Sequence, residues 1–367
     1  MQAGLVRAAS QAYQEAARLS WRDMWGSVTT FTKNVSDSHL LFAQHGGRLA
    51  TAMARYPEAT KPWIDLSTGI NPRPYPAPRA SRLARTRLPE TQDLAALEAA
   101  AALAFGVAPE RVCATPGLEV AIQHLPNVLK APAVSIVSPT YESHDLAWRQ
   151  AGAGVAHCAA GDMSAADSVV LVNPNNPDGR SLAAAEVLAL AKRLGEREGW
   201  LVVDEAFVET APELSVAAHA GGRLVVLRSF GKFYGLAGLR LGFVLAEPTV
   251  ISALRERLGA WPISVDAITA GASAYRDRAW AEETRRRLNR EVMRMDSALF
   301  RAGFHLVGGT SLFRLAQAPD APARFERLAK AGVLVRPFAY EPTWLRFGMP
   351  PASAWARVEA ALENTAP

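Results

Sequence analysis

From Thr91 onward, short apolar runs alternate with stretches whose apolar residues recur every three or four positions, and the alternation sets the expected architecture. Thr91 opens a stretch with Leu94, Leu97, Ala101 and Leu103 at helical spacing. A strand is expected around Val112, a helix over 119–129, a strand over 134–137, a helix over 142–150, and strands near Val155 and over 169–172. A helix over 183–197 then leads to strands over 201–203 and 224–227. Runs this short and this rich in Val and Leu suit strands buried on both faces, with helices crossing between them. The fold class expected is α/β: a large three-layer αβα domain around a mostly parallel sheet, plus a smaller α+β domain.

After Trp261-Pro262 the alternation stops. A long helix over 278–302, strands over 304–307 and 311–315, a helix over 323–331, a strand over 333–336, the segment 343–347 and a final helix complete the chain. The expected division is an extension over 1–36, an arm over 37–75 joining the small domain, a large domain over 76–262 and a small C-terminal domain over 263–367. In the extension, Leu5, Ala9, Ala12, Ala16 and Leu19 have helical spacing, while Glu15, Asp23 and the lack of an apolar core argue against a targeting peptide. An additional docking helix is expected there.

Composition narrows the field. A hydrophobic content of 49% with 20% charged residues is ordinary for a globular protein. The net charge of +5 does not signal nucleic acid. Arg285, Arg286, Arg287, Arg290 and Arg294 share one helix with Glu282 and Glu283, and the cluster Arg79, Arg82, Arg85 and Arg87 lies in a Pro-rich connector without interleaved aromatics. The two cysteines, Cys113 and Cys158, have neither metal nor disulfide spacing, so no metal is expected and a reducing, cytoplasmic setting is. The apolar stretch over 94–108 contains Glu98, and nothing reaches the run of about 18 apolar residues that a membrane span requires.

The chemistry collects just past strand ends, where open α/β sheets bind ligands. Behind the run over 224–227 come Ser229, Lys232 and Arg240, interleaved with Gly231, Gly235, Gly238 and Gly242. A hydroxyl and a guanidinium flanking a lysine suit a phosphorylated aldehyde. The amine becomes nucleophilic at neutral pH only if desolvation or a neighbouring cation lowers its pKa, and Arg240 is placed to act as that cation. Asp204 follows the apolar run over 200–203, and Asn173-Pro174-Asn175-Asn176-Pro177 follows the run over 169–172. Four apolar residues and then Asp204-Glu205 also suit an ATPase strand, yet no Gly-x-x-x-x-Gly-Lys-Ser/Thr loop occurs, because Phe233 follows Gly231-Lys232. His45-Gly46-Gly47 suits a lipase oxyanion loop, but no Gly-x-Ser-x-Gly elbow accompanies it.

Ser229, Lys232, Gly235, Gly238, Arg240 and Gly242 fill every fixed position of Ser-x-x-Lys-x-x-Gly-x-x-Gly-x-Arg-x-Gly. That pattern resembles the lysine segment of the fold-type I pyridoxal 5′-phosphate (PLP) enzymes, the aspartate aminotransferase superfamily. The resemblance implies that Lys232 bonds the cofactor, that Ser229, Arg240 and the backbone of Gly117 and Leu118 hold its phosphate, and that Asp204 pairs with its ring nitrogen. It assigns Asn176 to the phenolic oxygen, Tyr141 to stacking on the ring, Arg346 to the substrate α-carboxylate and Arg336 to a second anion. Leu118 and Glu119 depart from the small or hydroxyl residues common in the phosphate cup. Phe207 stands where many relatives have tyrosine.

Within the superfamily, the segment 332–337 and the Asn-Asn-Pro turn resemble the histidinol-phosphate aminotransferase branch. His45-Gly46-Gly47, followed by Asp65-Leu66-Ser67-Thr68-Gly69-Ile70-Asn71-Pro72, resembles the threonine-phosphate decarboxylase branch, which makes aminopropanol phosphate for cobalamin. The second likeness implies decarboxylation of L-threonine O-3-phosphate to (R)-1-aminopropan-2-yl phosphate, with His45, the amides of Gly46 and Gly47, and Asn71 around the substrate phosphate. The alternative is an aminotransferase working with 2-oxoglutarate, since rotation about one bond separates the two outcomes. A regulatory PLP domain would carry a DNA-binding module ahead of the fold, and segment 1–36 is too short for one. The family builds homodimers with shared sites, so Tyr75 or the Asn71 loop is expected to cross to a partner.

Overall fold

Thirteen short strands occur among residues 35–365, the part of the chain that the computed structural model describes. The docking helix expected from Leu5 to Leu19 lies outside the described residues. In chain order the strands are β1 (Ile64–Asp65), β2 (Val112–Thr115), β3 (Ala133–Val137), β4 (Gly154–Cys158), β5 (Val169–Val172), β6 (Leu201–Asp204), β7 (Leu224–Ser229), β8 (Gly242–Leu245), β9 (His305–Thr310), β10 (Phe313–Gln317), β11 (Val333–Leu334), β12 (Arg336–Pro337) and β13 (Trp344–Gly348).

The central sheet has the order β2-β8-β7-β6-β5-β3-β4. It is parallel except at β8, which runs antiparallel to both β2 and β7. Alternate residues face opposite cores: Val169, Leu171, Leu201, Val203 and Val226 enter one, and Val170, Val202, Val225 and Leu227 the other. The first core is closed by helices Thr91–Phe105, Ala184–Gly195 and Val265–Ala274, the second by Leu118–Leu129, Ser143–Gln150 and Pro248–Leu258. The sequence supports both faces, since each buried Val or Leu stabilises the fold by roughly 1.5–3 kcal/mol. The three-layer, mostly parallel α/β expectation holds. Strand β8 was not foreseen, because its four residues directly continue the glycine-rich motif and offer too few positions for a period to emerge.

A separate core gathers Phe42, Leu66, Met295, Leu299, Phe325, Phe347 and Trp355 beneath a four-stranded antiparallel sheet of order β12-β13-β10-β9. The arm joins it through parallel pairing of β1 with β11. The single strand expected over 333–336 is in fact two, because Val333–Leu334 pairs with the arm and Arg336–Pro337 with β13. The arm bridges the two sheets: Leu66 donates its amide to the Leu334 carbonyl and accepts from the Gly348 amide. The boundary expected at 262/263 also moves. Ile263, Ile268, Tyr275, Ala281 and Leu288 belong to the first core of the central sheet, and the handover falls inside helix Arg278–Arg301, between Leu288 and Met295.

Candidate active site

Parallel strands deliver their carboxyl ends to one edge, and register decides which side chains meet there. Val172 of β5 is level with Asp204 of β6 and Leu227 of β7, so the Asn173 turn, Asp204 and the Lys232 segment emerge side by side. Across the antiparallel strands, Thr115, Gly242 and Ser229 form one row. Behind that row, helix Leu118–Leu129 begins at Gly117 (φ 84°) without a side-chain cap, which leaves first-turn amides free to donate. A Cβ on Gly117 would stand 2.9 Å from Arg240 Cζ, and one on Gly242 would stand 2.9 Å from the Leu118 nitrogen. These glycines let a guanidinium, a hydroxyl and helix amides converge on a space suited to a phosphate.

Asp204 is 3% exposed. Its Oδ1 accepts from the Ala206 amide at 2.9 Å, and its Oδ2 lies 2.9 Å from His144 Nε2. His144, almost fully buried, is a residue that the sequence reading missed. The available signal was its place three residues after Tyr141, on the first turn of helix Ser143–Gln150. The Tyr141 ring meets the His144 ring edge-on at 6.3 Å, and its hydroxyl donates to Glu119 Oε2 at 2.9 Å. Burial above all pushes the Tyr141 hydroxyl up to about 12, so it remains a neutral donor near pH 7. Phe207 packs against Phe313 at 4.9 Å, with Lys232 Nζ 5.8 Å from its ring centre.

The Lys232 amine is brought down to about 8, first by burial and then by the charges of Arg346 and Arg336, with Asp204 opposing them. The sequence reading gave that part to Arg240, which contributes less than the other two arginines. The larger contributors lie far away in the chain and become neighbours only through the fold.

Arg336 and Arg346 are direct partners in the β12–β13 ladder. Arg346 donates from Nη1 to Asn176 Oδ1 and from Nη2 to the Ser67 carbonyl at 2.9 Å. Arg336 donates to the Gln44 carbonyl at 3.0 Å. Burial foremost lowers both guanidinium pKa values, and the Nε of each is buried without a hydrogen-bond partner. Unpaired buried donors of this kind call for acceptors from a ligand. Among the described residues, the donor set therefore fits PLP and an anionic substrate: a sunken amine of lowered pKa, a carboxylate at a strand end, an uncapped helix start and two guanidinium groups each with an unpaired Nε.

Three expectations about the substrate side need correction. The Gly47 amide donates to Ser67 Oγ at 2.7 Å, so it is not free for a substrate phosphate. Gly46 also serves close approach, because a Cβ there would collide with the Ser67 carbonyl. Asn71, 2% exposed, is engaged at both ends of its amide: Nδ2 donates to the Phe233 carbonyl at 2.8 Å, and Oδ1 accepts from the Arg73 amide and from Arg287. Tyr75 does not reach outward, since it is buried against Tyr234 and Trp280 and bonded to Ser273 Oγ at 3.0 Å. His45 remains at the rim near Arg336, and its pKa is lowered by burial and by that arginine. Ser67 is the second residue that sequence missed. It donates to Asp65 Oδ1 at 2.6 Å while linking the Gly47 amide to Arg346.

Residues 61–364 match the family described as aminotransferase class I and II. The chain is 44% identical to the threonine-phosphate decarboxylase of Pseudomonas aeruginosa over 325 residues, covering 87% of this chain and 97% of that protein. It is 43% identical to the threonine-phosphate decarboxylase of a Sinorhizobium species, over 85% of this chain and 95% of the relative. Among solved structures, histidinol-phosphate aminotransferase from Sinorhizobium meliloti in complex with pyridoxal-5′-phosphate superimposes with a TM-score of 0.75 at 20% identity, over 91% of this chain and 98% of that one.

Proposed function

The chain belongs to the aminotransferase class I and II family, and from that premise we propose that it is a PLP-dependent carboxy-lyase that converts L-threonine O-3-phosphate to (R)-1-aminopropan-2-yl phosphate. The likeness to threonine-phosphate decarboxylases over nearly their whole length carries this reading. The paired guanidinium groups of Arg336 and Arg346 support it, since two adjacent cations, Arg346 buried and Arg336 half-buried, suit a substrate with two anionic groups.

Bound PLP supplies an electron sink, a cationic ring able to take up the electron pair of a bond broken at the substrate α-carbon. The protein's part is placement. Lys232 would hold the cofactor through its amine, which a pKa near 8 leaves partly unprotonated at neutral pH. Asp204, fixed by His144 and the Ala206 amide, would pair with the ring nitrogen. Tyr141 and Asn176 would contact the ring, and Ser229, Arg240 and the amides at Gly117–Leu118 would take the cofactor phosphate. Arg346 orients the carboxylate, and Arg336 with His45 takes the substrate phosphate. The net reaction would replace the substrate carboxylate by a proton at Cα and release carbon dioxide. The amine of Lys232 is the group we assign to return a proton to Cα.

The same reading makes the protein a cytoplasmic homodimer whose product serves the aminopropanol linker of cobalamin, as the family relationship supports. Incubation of the PLP-loaded protein with L-threonine O-3-phosphate alone should release carbon dioxide stoichiometrically with aminopropanol phosphate. A requirement for 2-oxoglutarate, with glutamate as co-product, would favour the aminotransferase instead.

A further inference from the structure

Helix Arg278–Arg301 passes from one core to the other, and Arg287 sits just before the handover, 11% exposed in its side chain. Its Nη1 donates to Glu291 Oε2 at 2.9 Å, and its Nη2 donates to Asn71 Oδ1 at 2.8 Å. Asn71 in turn holds two consecutive carbonyls of the lysine segment. Its backbone amide donates to the Lys232 carbonyl at 2.9 Å, and its Nδ2 to the Phe233 carbonyl at 2.8 Å. Gly235 presses on the same residue, since a Cβ there would lie 2.7 Å from the Asn71 carbonyl oxygen.

A guanidinium offers only donors, so it can bond only the oxygen end of an amide. Arg287, together with the Arg73 backbone amide that donates to the same oxygen at 3.0 Å, fixes which end of Asn71 faces the lysine segment: with Oδ1 held outward, Nδ2 must point at the Phe233 carbonyl. Without Arg287 the oxygen keeps only the neutral Arg73 amide, the charge-assisted bond is lost, and the clamp on the residue following Lys232 loosens. We propose that Arg287 is a positioning residue for Lys232, acting through the side-chain amide of Asn71. The proposal rests on the reading of Lys232 as the cofactor-bearing residue, and it makes the geometry of that residue depend on the helix that joins the two cores.

The test is a titration of Lys232 in the apoprotein, by competitive labelling with acetic anhydride and mass spectrometry across pH, for wild type, R287M, R287K, N71A and N71A/R287M. The wild-type midpoint is expected near 8, set by burial and by Arg346, Arg336 and Arg240 against Asp204. A loosened segment is less buried, so R287M and N71A should both move the midpoint upward, by about 0.5–1 unit. R287K, which keeps a donor, should stay near wild type, and the double variant should shift no further than N71A. PLP affinity, followed by absorbance, should weaken in the same order. A folded R287M that titrates as wild type, or a double variant whose shift is the sum of the two single shifts, would overturn the proposal. Should R287M not fold, R287L, which likewise lacks a donor, supplies the same comparison. Wild-type protein that binds no PLP would defeat the cofactor reading, while the labelling midpoints would still decide the positioning.

Discussion

The floor of the site and its substrate-side wall are built by different rules. Asp204, Ser229 and the Lys232 segment extend strands whose register the central sheet fixes, and each lies within a few residues of a buried apolar run. The wall joins the Gly46–Gly47 turn, Ser67, Asn176, Arg336 and Arg346, which stand far apart in the chain and meet through side-chain and carbonyl bonds. On the floor, position follows from local order. On the wall, a group's role depends on a partner that no local pattern announces.

The largest expected effect separates the floor's chemistry from its stability. In Lys232→Met, PLP-dependent absorbance and carbon dioxide release should vanish. The apoprotein should nevertheless become more stable near pH 7. The folded amine has a pKa near 8 against 10.5 in an ordinary environment, so between those values the unfolded chain holds more protons than the folded one. Wild-type stability therefore rises with pH across that window, and below it protonation favours the unfolded chain. The methionine variant should lack the rise, as denaturant titrations from pH 7 to 10.5 would show. A variant with the same pH dependence as wild type would break the contrast by showing that the floor stores no such cost.

A smaller effect is expected on the wall. Gly46→Ala places a methyl against the Ser67 carbonyl, and overpacking of this kind costs about 1–3 kcal/mol. The displaced Ser67 should weaken the hold on Arg346 and raise KM for the phosphorylated substrate, while PLP affinity stays at the wild-type value. Equal loss of PLP affinity would erase the distinction between the two regions.

The same contrast explains what the sequence disclosed. The α/β class and the alternation over 112–227 were legible because short continuous apolar runs and helical spacing are local signals. Lys232, Asp204 and Asn176 could be singled out because each follows such a run. The commitment of the Gly47 amide to Ser67 and of the Asn71 amide to the lysine segment was not legible, because a free amide and an engaged one look alike in sequence. His144 was hidden for the same reason: it sits on a helix, and its partner Asp204 lies far along the chain at the end of β6. The lowered pKa of Lys232 was foreseen, but its chief charged neighbours, Arg346 and Arg336, belong to β13 and β12 rather than to the glycine-rich segment.

The most direct test of the central claim is to load the protein with PLP, reduce it with sodium borohydride, digest it and locate the stable phosphopyridoxyl group by mass spectrometry. The account predicts one modified side chain, Lys232, at close to one per chain. Stable label on Lys33, Lys61, Lys130, Lys192 or Lys330 in place of Lys232, or no label on a protein that remains folded, would contradict it.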